Sequence, residues 1–176
     1  MSYKDELTRA MTLLGTDPEA VFIGYNVGCG GKANGTLASV PPERLLETPV
    51  AENLMLGLAI GMALDGRKPI VYYERFDFIL NAMDAIVNHL DKIAMMSGGE
   101  FSPHIILRVL VGGVKNPLFT GPTHTQDFSD ALRKLVSFPV VQLTAASAVL
   151  PAYKTAWENL GQSSSMFVEY RDLYNT

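Results

Sequence analysis

The chain has 176 residues, 48% hydrophobic and 18% charged, with a formal net charge of -4. That is enough for one globular domain with a sizeable core, and the acidic balance gives no footprint for nucleic acid or an anionic membrane as partner. A single cysteine, Cys29, excludes an internal disulfide, and with a charged, helix-like start that lacks a signal-peptide core it leads us to expect a cytoplasmic protein. So little charge in so apolar a chain also fits a surface covered by another subunit.

In chain order, residues 3–14 have helical spacing and end at Gly15-Thr16-Asp17-Pro18. Residues 20–27 form a short apolar run that predicts a buried strand. Residues 28–37 carry Gly28, Gly30, Gly31 and Gly35. They match neither the Walker pattern nor the dinucleotide fingerprint, so a loop is expected, with a nucleotide-binding loop as the weaker alternative. Residues 44–46 predict a very short strand.

Residues 48–64 are the centre of the pattern. Pro49 suits a first helical position and Thr48 an N-cap. The stretch is apolar nearly all round, which predicts a helix buried on all sides, and Gly57 and Gly61 would let another backbone approach. Its one ionisable residue is Glu52. Two readings stand: a first-turn acid answering the helix dipole, or a carboxyl held from solvent to exchange a proton with a ligand.

Further on, residues 69–74 predict a strand, residues 78–96 one long helix capped at Ser97-Gly98-Gly99, and residues 104–111 a third buried strand. Residues 112–125 form a long loop rich in glycine and proline, of the kind that often carries function. Residues 128–136 and 146–160 predict helices, and residues 140–143 and 166–170 strands. The alternation predicts an α/β fold: a three-layer, mostly parallel, doubly wound sheet with helices on both faces. The loops after the strands, at 28–37, 74–78 and 112–125, should gather on one edge, where such folds bind ligands.

Leu46-Glu47-Thr48-Pro49-Val50-Ala51-Glu52-Asn53 with the Gly57 and Gly61 spacing resembles the pyrimidine-binding domain of thiamine-diphosphate enzymes. The likeness extends to the beta subunit of 2-oxo-acid dehydrogenases and to the central domain of transketolase. Arg75-Phe76-Asp77-Phe78, Ala82-Met83-Asp84-Ala85, Met96-Ser97-Gly98-Gly99 and Gly121-Pro122-Thr123-His124-Thr125-Gln126 follow in register. The resemblance covers roughly residues 18–172. It implies the thiamine-diphosphate-binding fold and gives Glu52 a role: bonding a ring nitrogen of the cofactor's aminopyrimidine and exchanging a proton there. It implies that Phe78 packs on the pyrimidine face, with Phe76 assisting and Tyr73 or Glu74 lining the pocket, and that His124 faces the substrate. The alternatives are core packing for Phe76 and a surface-loop histidine for His124.

The departures are informative. Asn26 stands where these beta subunits usually carry an acid. The Gly-Asp-Gly motif for diphosphate and Mg2+ has no counterpart, since Asp65-Gly66 lacks the sequel. Residues 1–176 are therefore expected to be a single pyrimidine-binding domain, with no diphosphate-binding domain and no carboxyl-terminal transketolase-type domain. The Mg2+ ligands would lie on a diphosphate-binding partner subunit, in a heterotetramer of two such chains and two partners acting on a small 2-oxo acid or ketose. The rival expectation is a catalytically silent scaffold or regulatory domain that keeps the fold.

Overall fold

The computed structural model describes residues 1–114 and 121–176. Six parallel strands form one sheet in it: β1 (Ala20–Gly24), β2 (Leu45–Glu47), β3 (Lys68–Tyr73), β4 (Ile106–Val111), β5 (Val140–Gln142) and β6 (Ser165–Tyr170), in the order β2-β1-β3-β4-β6-β5. The helices are α1 (Tyr3–Leu14), α2 (Glu52–Leu64), α3 (Ile93–Met96), α4 (Ser129–Leu135) and α5 (Ala146–Glu158). The apolar runs of β1, β3 and β4 are buried along almost their whole length, as strands covered on both faces must be.

Two cores result. On one face α1 and α5 close over Phe22, Ile70, Tyr72, Ile106 and Phe167. On the other, α2 and the segment after β3 cover Ile23, Val71, Tyr73, Leu107 and Val168. The expected doubly wound architecture is therefore observed.

Three local expectations are corrected. First, β1 ends at Gly24, not at residue 27: Asn26 turns the chain at a φ of 59°. Secondly, α2 begins at Glu52 rather than Pro49, and Ala51 precedes it with no side-chain cap. Thr48 does not cap it: its backbone N–H donates to Gly24 O at 3.0 Å beside β1, upstream of the helix start, and its buried Oγ1 has no partner among the described residues. Nor is α2 buried all round. Met55, Leu56, Ala59 and Ile60 face the core, but Asn53, Leu54, Gly57, Leu58, Gly61 and Leu64 face outward.

Thirdly, residues 78–96 are not one α-helix. A 3-10 segment, Phe76–Ala82, is followed by a π-helical turn, Ala85–Leu90, and then by α3. The wide turn closes with Asp91 N–H donating to Ile86 O at 3.2 Å. It also brings the Asp91 carboxylate to Ser137, whose N–H and Oγ both donate to it. A tertiary bond thus fixes the register, in a kind of segment frequent near functional sites.

Candidate functional site at the carboxyl edge of the sheet

The chain leaves β1 through Tyr25 and Asn26, which the sequence analysis did not single out as site residues. Asn26 Nδ2 donates to Glu74 Oε2 at 3.0 Å, at the end of β3. Asn26 thus lacks the family's charge but is bonded to a carboxylate from the next strand. The turn itself is held by Glu47. Its carboxylate accepts the backbone N–H groups of Asn26 at 2.7 Å, Val27 at 3.0 Å, Gly28 at 2.7 Å and Cys29 at 3.2 Å. Burial would raise the Glu47 pKa, but the N–H donors of Gly28, Asn26 and Cys29 outweigh it and hold the carboxyl below its ordinary value. Glu47 thus places its own negative charge against the amides that open the glycine loop, Gly28 and Cys29, which opposes a phosphate at that end of it.

Glu52 occupies the first position of α2 and is 5% exposed. Tyr25 Oη donates to Oε1 at 3.3 Å and Asn81 Nδ2 to Oε2 at 3.4 Å. Both bonds lie beyond the ordinary range and both donors are neutral. Burial, and then the nearby Glu52 and Glu74 carboxylates, push the Tyr25 phenol upward, so it is a donor throughout the physiological range. Tyr73 Oη donates to the backbone carbonyl of Glu52 at 3.3 Å, pinning the start of the helix. The carboxylate is thus withdrawn from water but loosely committed, an arrangement that leaves acceptor capacity for a further donor.

Phe78 lies at the half-buried rim and meets the His124 ring at a centroid distance of 5.2 Å and an interplanar angle of 80°. Phe76 is fully buried instead, edge-on to Phe128 at 5.7 Å. The structure places it in the core and not on an accessible face. Its neighbour Asp77 is buried and accepts from Gln126 Nε2 at 2.7 Å.

His124 is half-buried, with Nδ1 3.0 Å from Thr123 Oγ1. Its carbonyl accepts the Gly112 N–H at 3.1 Å. A Cβ at Gly112 would stand 2.1 Å from that oxygen, so only glycine permits this seat for the histidine loop. The predicted loop at 112–125 lies partly outside the described residues. Its residue His124 meets Phe78 of the 74–78 segment, while Asn26, at the β1 turn, is bonded to Glu74, and Tyr25 feels both Glu52 and Glu74. Among the described residues no hydrogen bond joins His124 to Glu52. Tyr25, Asn81 and Glu47 carried no spacing signal; only the fold brings them to Glu52 and the β1 turn.

A family profile described as "Transketolase, pyrimidine binding domain" matches residues 1–176. The chain belongs to that family. Over 134 residues it is 34% identical to the pyruvate dehydrogenase E1 component subunit beta of Saccharomyces cerevisiae, which covers 73% of this chain and 36% of the relative. It is 33% identical over 166 residues to the subunit of the same name from Chaetosphaeridium globosum, 90% of this chain and 48% of that one. The chain thus spans less than half the length of these curated relatives. A solved structure titled "Split gene transketolase, inactive beta4 tetramer" superposes with a TM-score of 0.72 at 18% identity, over 97% of this chain and 52% of the other, which shows the shared fold. Among the described residues no helix is long and apolar enough to cross a membrane.

Proposed function

We propose that this chain supplies the pyrimidine-binding half of a split thiamine-diphosphate enzyme acting on a 2-oxo acid or a ketose. The observation that carries the reading is Glu52, a buried carboxylate at the start of a helix with no other ionisable residue, held among the described residues by two long bonds from neutral groups. That residue set fits an aminopyrimidine. Glu52 accepts from, or exchanges a proton with, a ring nitrogen, while Tyr25 and Asn81 keep its two oxygens oriented. Phe78 offers a ring face at the rim and Glu74 lines the side nearest Asn26. Phe76 acts from behind as core packing. Thiamine diphosphate, when bound, supplies a carbon nucleophile toward a substrate carbonyl. His124, braced on Phe78, stands to donate to or accept from the carbonyl-derived oxygen.

The rest of the cofactor site is assigned to a diphosphate-binding partner subunit, which would hold Mg2+. Two features support this. The N–H groups of Asn26, Val27, Gly28 and Cys29, where the glycine loop begins, are bound to Glu47 rather than open to a diphosphate. The outward stripe of α2, with Leu54 54% exposed and nothing within 4 Å of a Cβ added at Gly57 or Gly61, is the face such a partner would cover. We place two such chains and two partners in one heterotetramer. The cytoplasmic assignment rests on the single free thiol of Cys29, although the yeast relative is described as mitochondrial.

The test is titration calorimetry with thiamine diphosphate and Mg2+, on the chain alone and reconstituted with a diphosphate-binding subunit. Saturable binding that needs both chains is the expected result, together with loss of turnover in Glu52→Gln and unimpaired assembly. Absence of binding by the reconstituted complex would return the chain to the scaffold reading.

A further inference from the structure

We propose that Asp77 is a positioning residue for His124, acting through Gln126; the inference rests on the role given to His124 above. Asp77 sits in the 3-10 segment between Phe76 and Phe78 and is 6% exposed. Its Oδ1 accepts from Gln126 Nε2 at 2.7 Å, a side-chain bond that ties this segment to the histidine loop. Among the described residues its Oδ2 has no partner. A carboxyl buried with one oxygen bonded is a costly choice for packing alone.

The geometry gives that choice a purpose. Adjacent residues of the 3-10 segment hold alternate residues of the loop: Asp77 takes Gln126, and Phe78 takes the ring of His124. The backbone bond from Gly112 to the His124 carbonyl seats the main chain, and Thr123 Oγ1 lies 3.0 Å from Nδ1 of the imidazole. The Asp77–Gln126 bond is a further anchor, beside those that Gln142 and Tyr170 donate to Asp127, and it comes from the same segment as the Phe78 ring that the imidazole meets. An acid suits the position because it only accepts, which obliges the Gln126 amide to turn its NH2 inward.

The experiment follows the His124 ring signals by NMR in the full chain, assigned with His124→Gln. In the wild type these signals are displaced from free-imidazole values by the Phe78 ring, and Phe78→Leu removes the displacement. Asp77→Ala and Gln126→Ala should each move them most of the way to the free values, with no further change in the double variant. Asp77→Asn, which keeps an acceptor oxygen, should restore them. In the reconstituted complex, Asp77→Ala should lower kcat about 10- to 100-fold, the scale expected for a displaced catalytic group, with the thiamine-diphosphate Kd unchanged. If both alanine variants leave the His124 signals in place, the proposal is wrong. If the signals move and kcat does not, the anchoring stands and the substrate role of His124 falls. Should Asp77→Ala fail to fold, Gln126→Ala at an exposed position carries the same test.

Discussion

Two buried glutamates sit on opposite faces of one sheet, and their surroundings differ completely. Glu169, on β6, accepts four bonds: Arg108 Nε at 2.8 Å and Nη2 at 3.1 Å, Tyr153 Oη at 2.6 Å and Tyr174 Oη at 3.1 Å. Arg108 also reaches Thr36 Oγ1 at 3.2 Å and lies over the Tyr72 ring. Neither Arg108 nor Glu169 is exposed at all. Burial alone would lower the Arg108 pKa, but the Glu169 carboxylate overrides it and keeps the guanidinium charged. Among the described residues Glu52 has no cation bonded to its carboxyl and only its two long bonds. A carboxylate with its lone pairs filled is a structural tie; one left with capacity can still receive a ligand. The difference separates a face closed by its own bonds from one left open, on the proposed function, to a ligand.

The largest effect should come from breaking the filled side. Glu169→Ala strands a buried guanidinium and should cost about 3–5 kcal/mol in urea unfolding. If it costs no more than a surface substitution, the contrast between the faces fails. Glu52→Gln should do the opposite. Stability should change by less than about 1 kcal/mol because only weak neutral bonds are lost. Turnover of the reconstituted complex should fall about 10²- to 10⁴-fold, the range for losing a proton-transfer group; steady-state kinetics at saturating cofactor would show it.

Next in size is Gly112→Ala. Its methyl group cannot coexist with the His124 carbonyl where it now lies, so the variant should lose about 1–3 kcal/mol by overpacking. The His124 signals should shift while binding of the cofactor persists.

Gly57→Ala sharpens the comparison on the open face. Nothing within the chain meets the added methyl, so the isolated chain should gain about 0.5–1 kcal/mol from better helix propensity. Assembly with the partner, followed by sedimentation, should weaken if the two backbones approach closely there.

The smallest effect is at Glu47. A carboxyl held below its ordinary 4.5 adds stability above that pH and loses it as the pH falls through the folded-state value. Glu47→Gln should therefore be destabilised at pH 7 by well under about 1 kcal/mol at so exposed a site, and the gap from wild type should close below about pH 4.5. Paired urea midpoints at pH 7 and pH 3.5 would measure it.

The parallel sheet was readable from strand-sized apolar runs alternating with helical spacing, because both faces of such strands are covered. Glu52 was readable as the one acid in an apolar helix. Other features were not. Arg108 and Glu169 are each a lone charge in an apolar strand, but they are 61 residues apart, and no local pattern says that β4 and β6 are neighbours. The break in residues 76–96 escaped because its periodicity is adequate for an α-helix; the Asp91–Ser137 bonds that accompany the wide turn span 46 residues. The bare stripe on α2 escaped because hydrophobicity measures the wish for burial and not whether this chain can supply the cover.

By itself the sequence determined which segments are buried strands, which residue is the isolated acid and to which family the motifs belong, since these are properties of local spacing and side-chain chemistry. The tertiary structure alone decided how many bonds each buried carboxylate receives. Those bonds come from residues far along the chain, so only the closed fold distinguishes Glu169, which is filled, from Glu52, which is left with acceptor capacity.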